Sequence, residues 1–393
     1  MERTYLSRIC VTLASATSLC LFTCCWILLA GCNKPATSKP ETSTTAVPRA
    51  LPSDDELRTM LDRAIDTAYL ERRLNLRDHA AWQIVHAILA YESDFIIEDR
   101  DGKLVPALDY LLNGGEMTGW VLRAGDTLDG EGSRGLLAVL DAGSTTGQGH
   151  ADQWLGYLAD CNLKIDQVIK VGSQDFTLAD MLRQAERDVP NNELREYSWT
   201  LMALTAYHPT DHTWTAKDGS QWSTSRLLEI EVEHDLAGSA CGGTHRMCGI
   251  VMALNRHKEQ QRPLEGPWQA ADEKVRRCVM LAKEFQNDDG SLSTNFFTSK
   301  GQSLEIKTCL HATGHTFEFV VSAVDDEQVK AEWIRRAAVY LCEFLDSTQD
   351  VDLECGALYH AVRGLMLYRQ RLFGDRPLPR EKLLSQNKAG AGN

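Results

Sequence analysis

Basic runs are missing from this sequence. Lys and Arg total 41 against 55 Asp and Glu, a formal charge of −14, and no cluster of Lys or Arg interrupts the acidic balance. A surface that tracks phosphates needs such a cluster, so nucleic acid is excluded as a partner. Gly-x-Ser-x-Gly and phosphate-binding glycine loops are absent too, which removes the hydrolase elbow and the nucleotide site. No C-x2-C pair occurs, so a zinc finger built on paired cysteines is ruled out. Long alternation of apolar and polar residues is lacking throughout, which predicts a chain without long strands. Beyond Leu29 no apolar run approaches the roughly 20 residues of a membrane span. Proline is scarce, at 11 of 393 residues, and 43% of the chain is hydrophobic, a balance that fits a globular protein and not a fibrous or disordered one.

What is present begins with an export signal. Arg3 and Arg8 form a thin basic region, Ile9 to Leu29 is mostly apolar, and the stretch ends in Leu29-Ala30-Gly31-Cys32. This tetrapeptide resembles the lipobox of bacterial lipoproteins, in which the cysteine is acylated and becomes the mature N-terminus. The resemblance implies a signal peptide over 1–31, lipidation at Cys32 and attachment to a membrane through that lipid. Asn33, and not Asp, follows the cysteine, which in lipoproteins of this type implies the outer membrane. Residues 33–53 are rich in Thr, Ser, Pro and Ala and too poor in large apolar residues to fold, so 32–53 reads as a tether.

Beyond Ser53 two kinds of segment alternate. Asp55–Arg73, Lys103–Leu112, Phe176–Asp188, Ser223–Leu236, Trp268–Phe285 and Glu327–Ser347 are amphipathic and charged on one face. Ala80–Tyr91, His150–Cys161, Tyr197–Tyr207, Thr244–Asn255, His315–Val324 and Ala357–Tyr368 are apolar all round and rich in small residues. Paired in order they give six outer–inner helical hairpins. Helices shielded on both faces predict an all-α fold, an α/α toroid over 54–375 with inner helices ringed by outer ones; an open solenoid is the alternative. Asp101-Gly102-Lys103, Val171-Gly172-Ser173 and Lys217-Asp218-Gly219-Ser220 each precede an outer helix, which predicts one turn reused at equivalent places. Residues 376–393 read as a flexible tail.

Gln286-Asn287-Asp288-Asp289-Gly290-Ser291-Leu292, after an outer segment, is similar to the Q-x-x-x-G-S-[WF] repeat of squalene–hopene cyclases and prenyltransferase-type α/α toroids, with Leu292 in place of the aromatic. The wider pattern, from the lipobox through CGGTHRMCGIVMAL, TGHTFEFVVSAV and GALYHAVRGLMLYR, resembles lipid-anchored toroid proteins of planctomycete-type bacteria and covers most of the chain. That resemblance implies a central cavity lined from the inner helices, and in some such toroids a zinc ion. The D-x-D-D acid of the cyclases is absent, and Asp350-Val351-Asp352-Leu353-Glu354 reads instead as an acidic helix cap.

If the inner-helix N-termini converge on one mouth, they carry His79, His150 with Asp152, Glu196, His245, His315 with Glu318, and His360. Each could be a helix cap or a polar corner of the core; together they predict a titratable cavity. His150, His245, His315, His360 and Glu318 are the candidates for acid–base or ligand roles. His79, Asp152, Trp154, Glu196 and Tyr359 are the candidates for ligand contact, the aromatics as platforms for a sugar. Cys241-x3-His245-x2-Cys248 and Cys309-x-His311-x3-His315 offer a zinc set of Cys241, His245, Cys309 and His311. The competing expectation is a disulfide among Cys241, Cys309 and Cys355, as an oxidising compartment allows. Cys278 and Cys342 read as buried apolar residues. Two functions are open: a tethered binding or scaffold module for a small molecule or glycan, or an envelope enzyme acting on glycan or isoprenoid substrates through the His-rich mouth.

Overall fold

The computed structural model describes residues 50–390, apart from 129–132, 142–143, 145, 147–148, 151 and 193–195. The signal segment, Cys32 and nearly all of the tether lie outside the described residues. Among these residues the protein is mostly helical, with thirteen α-helices and four two-stranded antiparallel sheets. Helices α1 (Asp54–Glu71), α3 (Ala107–Leu112), α5 (Leu178–Asp188), α7 (Thr224–Glu233), α9 (Pro267–Glu284) and α11 (Glu332–Ser347) alternate along the chain with α2 (Ala81–Tyr91), α4 (Gln153–Asp160), α6 (Ser198–Tyr207), α8 (Thr244–Glu259), α10 (Ile306–Ala323) and α12 (Cys355–Phe373). The odd members carry exposed charge on one face, as α1 does with Leu57, Leu61 and Ile65 buried and Asp54, Asp55 and Glu56 in its first turn. The even members are buried nearly all round: in α6 every residue from Ser198 to Thr205 is buried. Such helices need partners on both sides, and they have them. α2 packs on α4, α4 on α6, α6 on α8, α8 on α10 and α10 on α12, and α12 packs back on α2.

The three repeated turns are the tips of β-hairpins. β1 (Ile96–Glu98) pairs with β2 (Leu104–Pro106), β5 (Val168–Val171) with β6 (Gln174–Thr177), and β7 (Thr213–Thr215) with β8 (Gln221–Ser223), each leading directly into an odd helix. Hairpin β3–β4 (Trp120–Thr127 and Arg134–Leu140) corrects the expectation that long strands are absent. Its alternation is hidden in the sequence because a register shift interrupts it between Ala124 and Thr127. Gly125 and Gly135 also stand where a side chain would meet Gln184, so the alternation is interrupted by glycine where the hairpin meets α5. The expected tail holds a thirteenth helix, α13 (Arg380–Gly390), with Leu383 buried.

Helix ends follow local chemistry. Ser53 and Glu56 form a reciprocal capping box on α1, Thr177 and Asp180 another on α5, and the Glu354 carboxylate accepts from the Gly356 and Ala357 amides to start α12. Gln286 of the cyclase-like motif donates to Gly290 O at 3.0 Å and to Trp333 O at 2.8 Å, so it ties the end of α9 to the start of α11. The interior also depends on one close helix approach. A Cβ on Gly314 would lie 2.9 Å from the Ala361 Cβ, so the absence of a side chain lets α10 and α12 touch beside His315 and His360.

Candidate functional site

The even-numbered helices carry polar side chains on faces that point into protein, and these converge. His245 follows Thr244 in the first turn of α8, His315 lies mid-way along α10, and His360 lies in the second turn of α12. Ring centroids are 5.5 Å apart for His245–His315, 5.5 Å for His245–His360 and 4.1 Å for His315–His360. His150 joins from the segment before α4, 5.7 Å from His245. The position of His315 corrects the sequence reading: α10 begins nine residues earlier, at Ile306, because its first two turns are amphipathic and half exposed and do not read as an inner helix.

Cys241 completes the centre. It occupies a short turn before α8 in the left-handed region, φ 50° and ψ 38°, followed by Gly242 and Gly243, also with positive φ. A non-glycine residue held there stores strain of about 1–3 kcal/mol, the kind that clusters at functional positions. Its thiol faces three imidazoles. Nε2 of His311 is 3.3 Å from Cys241 Sγ, and donor atoms of Cys241, His245 and His315 lie within 4.8 Å of one another. Glu196, on the segment before α6, points at the same place, with Oε2 3.6 Å from His245 Nδ1 and 3.7 Å from His150 Nδ1.

The electrostatics follow from burial and these neighbours. Burial alone would raise the Cys241 thiol, but the His245 charge and hydrogen bonds with His245, His311 and His315 bring it far below the ordinary thiol range. Burial likewise opposes charge on His245, and Cys241 and Glu196 outweigh it, lifting His245 well above an ordinary imidazole. Burial first, then neighbouring imidazoles, keep His315 and His360 well below the usual value, and burial takes His86 down to about 4. Burial raises Glu318 to about 7 against the pull of Arg363. Burial would raise Glu196, and His245 and His150 hold it below the usual carboxylate range, so the shifts favour a thiolate at Cys241 and charge on His245 and Glu196, with His86, His315 and His360 neutral. The other six thiols of the described residues are all shifted upward, chiefly by burial. We predict that in chelator-treated protein at about pH 6 iodoacetamide modifies Cys241 ahead of these six, because only the thiolate is the nucleophile. Peptide mapping that shows equal labelling of the seven would refute this charge pattern.

Second contacts fix the rings. Nδ1 of His315 bonds to His311 O at 2.8 Å, which assigns the proton to Nδ1 and directs Nε2 to the cluster. His86 bonds to Trp82 O at 2.6 Å and to the Tyr157 hydroxyl at 3.3 Å. His360 Nδ1 is 2.5 Å from Glu318 Oε2, and Glu318 Oε1 takes Arg363 Nε at 3.0 Å. Both nitrogens of His245, both oxygens of Glu196 and Nε2 of His360 are buried without a hydrogen bond of ordinary length. A small cavity of about 40 Å³ adjoins them, lined by His245, His315, His360, Glu318, Cys248 and Trp199 among others.

Compared with family models, curated proteins and solved structures, the chain matches none. The site therefore rests on its own geometry. A thiol faced by three imidazoles in one buried place is the donor set that suits zinc. Cys241, His245 and His311 of the sequence-derived set are brought together, and His315 joins them. Cys309 is not: two residues before His311 it lies about 200° round the helix, and its thiol donates to Ser303 O at 3.0 Å. No disulfide joins the seven cysteines from Cys161 to Cys355; all are free thiols, with Cys278 and Cys342 buried.

Four expected contact residues make contacts within the fold and are not among the residues that line the central cavity. His79 Nδ1 accepts from the Asn75 amide at 3.1 Å, in the turn before α2. Asp152 is half-buried at the start of α4 and accepts from Thr200 Oγ1 at 2.5 Å and Asn192 Nδ2 at 3.3 Å. Trp154 packs against Trp120, and Tyr359 is fully buried with its hydroxyl donating to Arg72 O. Sequence reasoning missed His86, Tyr157, Asp160 and Arg363, and named Cys248 only within the Cys241–His245 motif. For His86, Asp160 and Arg363 the signal was there: each is a titratable residue inside a helix that is otherwise apolar all round.

Proposed function

We propose that this chain is a lipid-anchored cell-envelope protein whose six hairpins close into an α/α toroid around one zinc-type ion. The observation that carries the metal reading is the three imidazoles around Cys241: a cysteine nucleophile needs one base, and a thiol faced by three is a ligand cage. Cys241, His245 and His315 would hold the ion with His311 as a fourth donor, after a contraction of about 1 Å. The toroid reading is supported by the return of α12 to α2 and by the Gln286 link between successive odd helices. Export rests on Arg3, Arg8 and the apolar run Ile9 to Leu29, and the lipid on Leu29 to Cys32.

The function the geometry favours is metal-dependent binding of a small ligand. The cavity beside the cluster, about 40 Å³, has room for a few waters or a compact anion or thiol; a sugar ring or isoprenoid chain would be engaged at the mouth and not inside. Catalysis is the second reading, favoured by Glu318. A carboxyl at about 7 that shares a proton with His360, whose Nε2 is otherwise unbonded, is matched to proton transfer at neutral pH. A bound zinc ion would supply a Lewis acid that activates water or a thiol there. Elemental mass spectrometry of the full chain, exported and purified in detergent, tests the proposal. Close to one zinc per chain is expected at this centre, lost in His245→Ala/His315→Ala; zinc that survives the double variant, or wild type free of metal after zinc-replete growth, would overturn it.

A further inference from the structure

A second cluster stands apart from the centre, and none of its members lines the central cavity. Glu186 is on α5; His208 and His212 follow α6 in the sequence His208-Pro209-Thr210-Asp211-His212. Both imidazoles aim Nε2 at a single oxygen. His212 Nε2 is 2.7 Å and His208 Nε2 3.3 Å from Glu186 Oε1. The donor atoms of the three residues lie within 4.8 Å of one another. Two donors each about 2.0–2.1 Å from one ion are separated by about 2.9–3.4 Å in octahedral or tetrahedral geometry, and the two histidine–Glu186 distances are near that range.

The cluster is built and not incidental. His208 and His212 stack at 3.9 Å between centroids, and His212 stacks in turn on Trp214 of β7 at 5.5 Å. The Trp214 indole donates to Glu186 O at 2.8 Å, which ties the hairpin to the residue that supplies the carboxylate. The imidazole side chains are 31% and 23% exposed, enough for an ion to enter and for water to complete its shell.

We propose that Glu186, His208 and His212 form a second site for a divalent transition ion, with an open position for water or a small anion. Two imidazoles and a carboxylate select ions of the zinc and copper class over magnesium or calcium. The parallel rings splay on loading so that both lone pairs meet the ion. The site rests on contacts independent of the central cluster, so either can fail alone.

Zinc titration of the chelator-treated full chain in detergent, followed by calorimetry, tests this. Wild type is expected to take up one ion at Glu186–His208–His212 in addition to any bound at the centre. His208→Ala/His212→Ala removes that ion and leaves the Cys241-dependent one; Cys241→Ser does the reverse. Glu186→Gln, which keeps a hydrogen-bonding side chain, should weaken the site at least ~10-fold while the circular dichroism stays that of wild type. Cobalt separates the sites by spectrum, since the thiolate-to-cobalt charge-transfer band reports Cys241 alone and survives in the double-histidine variant. Stoichiometry unchanged in that variant, or uptake abolished entirely by Cys241→Ser, would overturn the proposal and leave the cluster as a hydrogen-bonded latch between α5 and β7.

Discussion

Arg363→Met should destabilise the protein by about 3–5 kcal/mol, the usual cost of stranding a buried charge. Arg363 pairs with Asp160, holds Glu318 Oε1 at 3.0 Å and donates to Leu89 O at 2.7 Å. Methionine fills much of the same volume, so the loss is mainly electrostatic: the buried Glu318 carboxylate and the mostly shielded Asp160 carboxylate are left without their cation. The pH dependence comes from Glu318. Its folded value, about 7, is raised above the ordinary glutamate value of 4.5, so between these limits the folded state keeps a proton that the unfolded state has released. Its contribution to stability is therefore full below about 4.5 and is lost as pH rises through about 7. Without Arg363 both carboxylates resist ionisation further, so the deficit should be larger at pH 8 than at pH 5. Urea denaturation at both values measures it. A deficit under about 1 kcal/mol at pH 8 would show that these carboxylates do not depend on Arg363.

Glu231→Ala should cost a similar ~3–5 kcal/mol and should weaken the central site as well. Glu231 on α7 is fully buried; its carboxylate accepts from the Tyr197 amide at 2.9 Å, from Ser198 Oγ at 2.8 Å and from Arg246 Nη1 at 2.5 Å. One side chain thus seats the start of α6 on α7 and α8, next to Glu196. Alanine leaves the Arg246 guanidinium buried and unpaired, so Glu231→Ala/Arg246→Ala should recover part of the loss. Zinc titration beside denaturation reads both effects. Destabilisation with unchanged zinc affinity would separate this network from the site.

The alternation of one-sided and all-round apolar segments made twelve of the helices legible from the sequence, since that pattern is set by how many faces a helix must bury. The hairpin tips were legible as turns because Asp, Gly and Ser mark them. Strands β3 and β4 were not, because Gly125, Gly135 and the register shift erase their period. At the candidate site, His150, His245, His360 and Glu196 were singled out from residue type near a helix start and Cys241 from its spacing to His245, while Glu318, like His315, lies mid-helix. His315 was found for a wrong reason, since it lies mid-helix, and His86 was missed for the same reason: a rule that inspects helix starts overlooks side chains one or two turns in. Cys309 was misplaced because spacing along the chain does not give the angle round the helix.

The contact of α12 with α2 bears on how the molecule is made. Arg335 donates to Pro52 O, Arg72 to Thr348 O, and Arg369 to Asp62, so the first and last hairpins hold each other across almost the whole sequence. Contacts between residues so far apart must overcome the largest loop-closure entropy in the chain. The buried faces of α1, with Leu57 and Leu61, and of α2, with Ile84, are covered in part by α11 and α12, which come last of the twelve in the chain. A chain cut short before α11 would therefore leave that apolar face without its cover and open to chaperones and proteases.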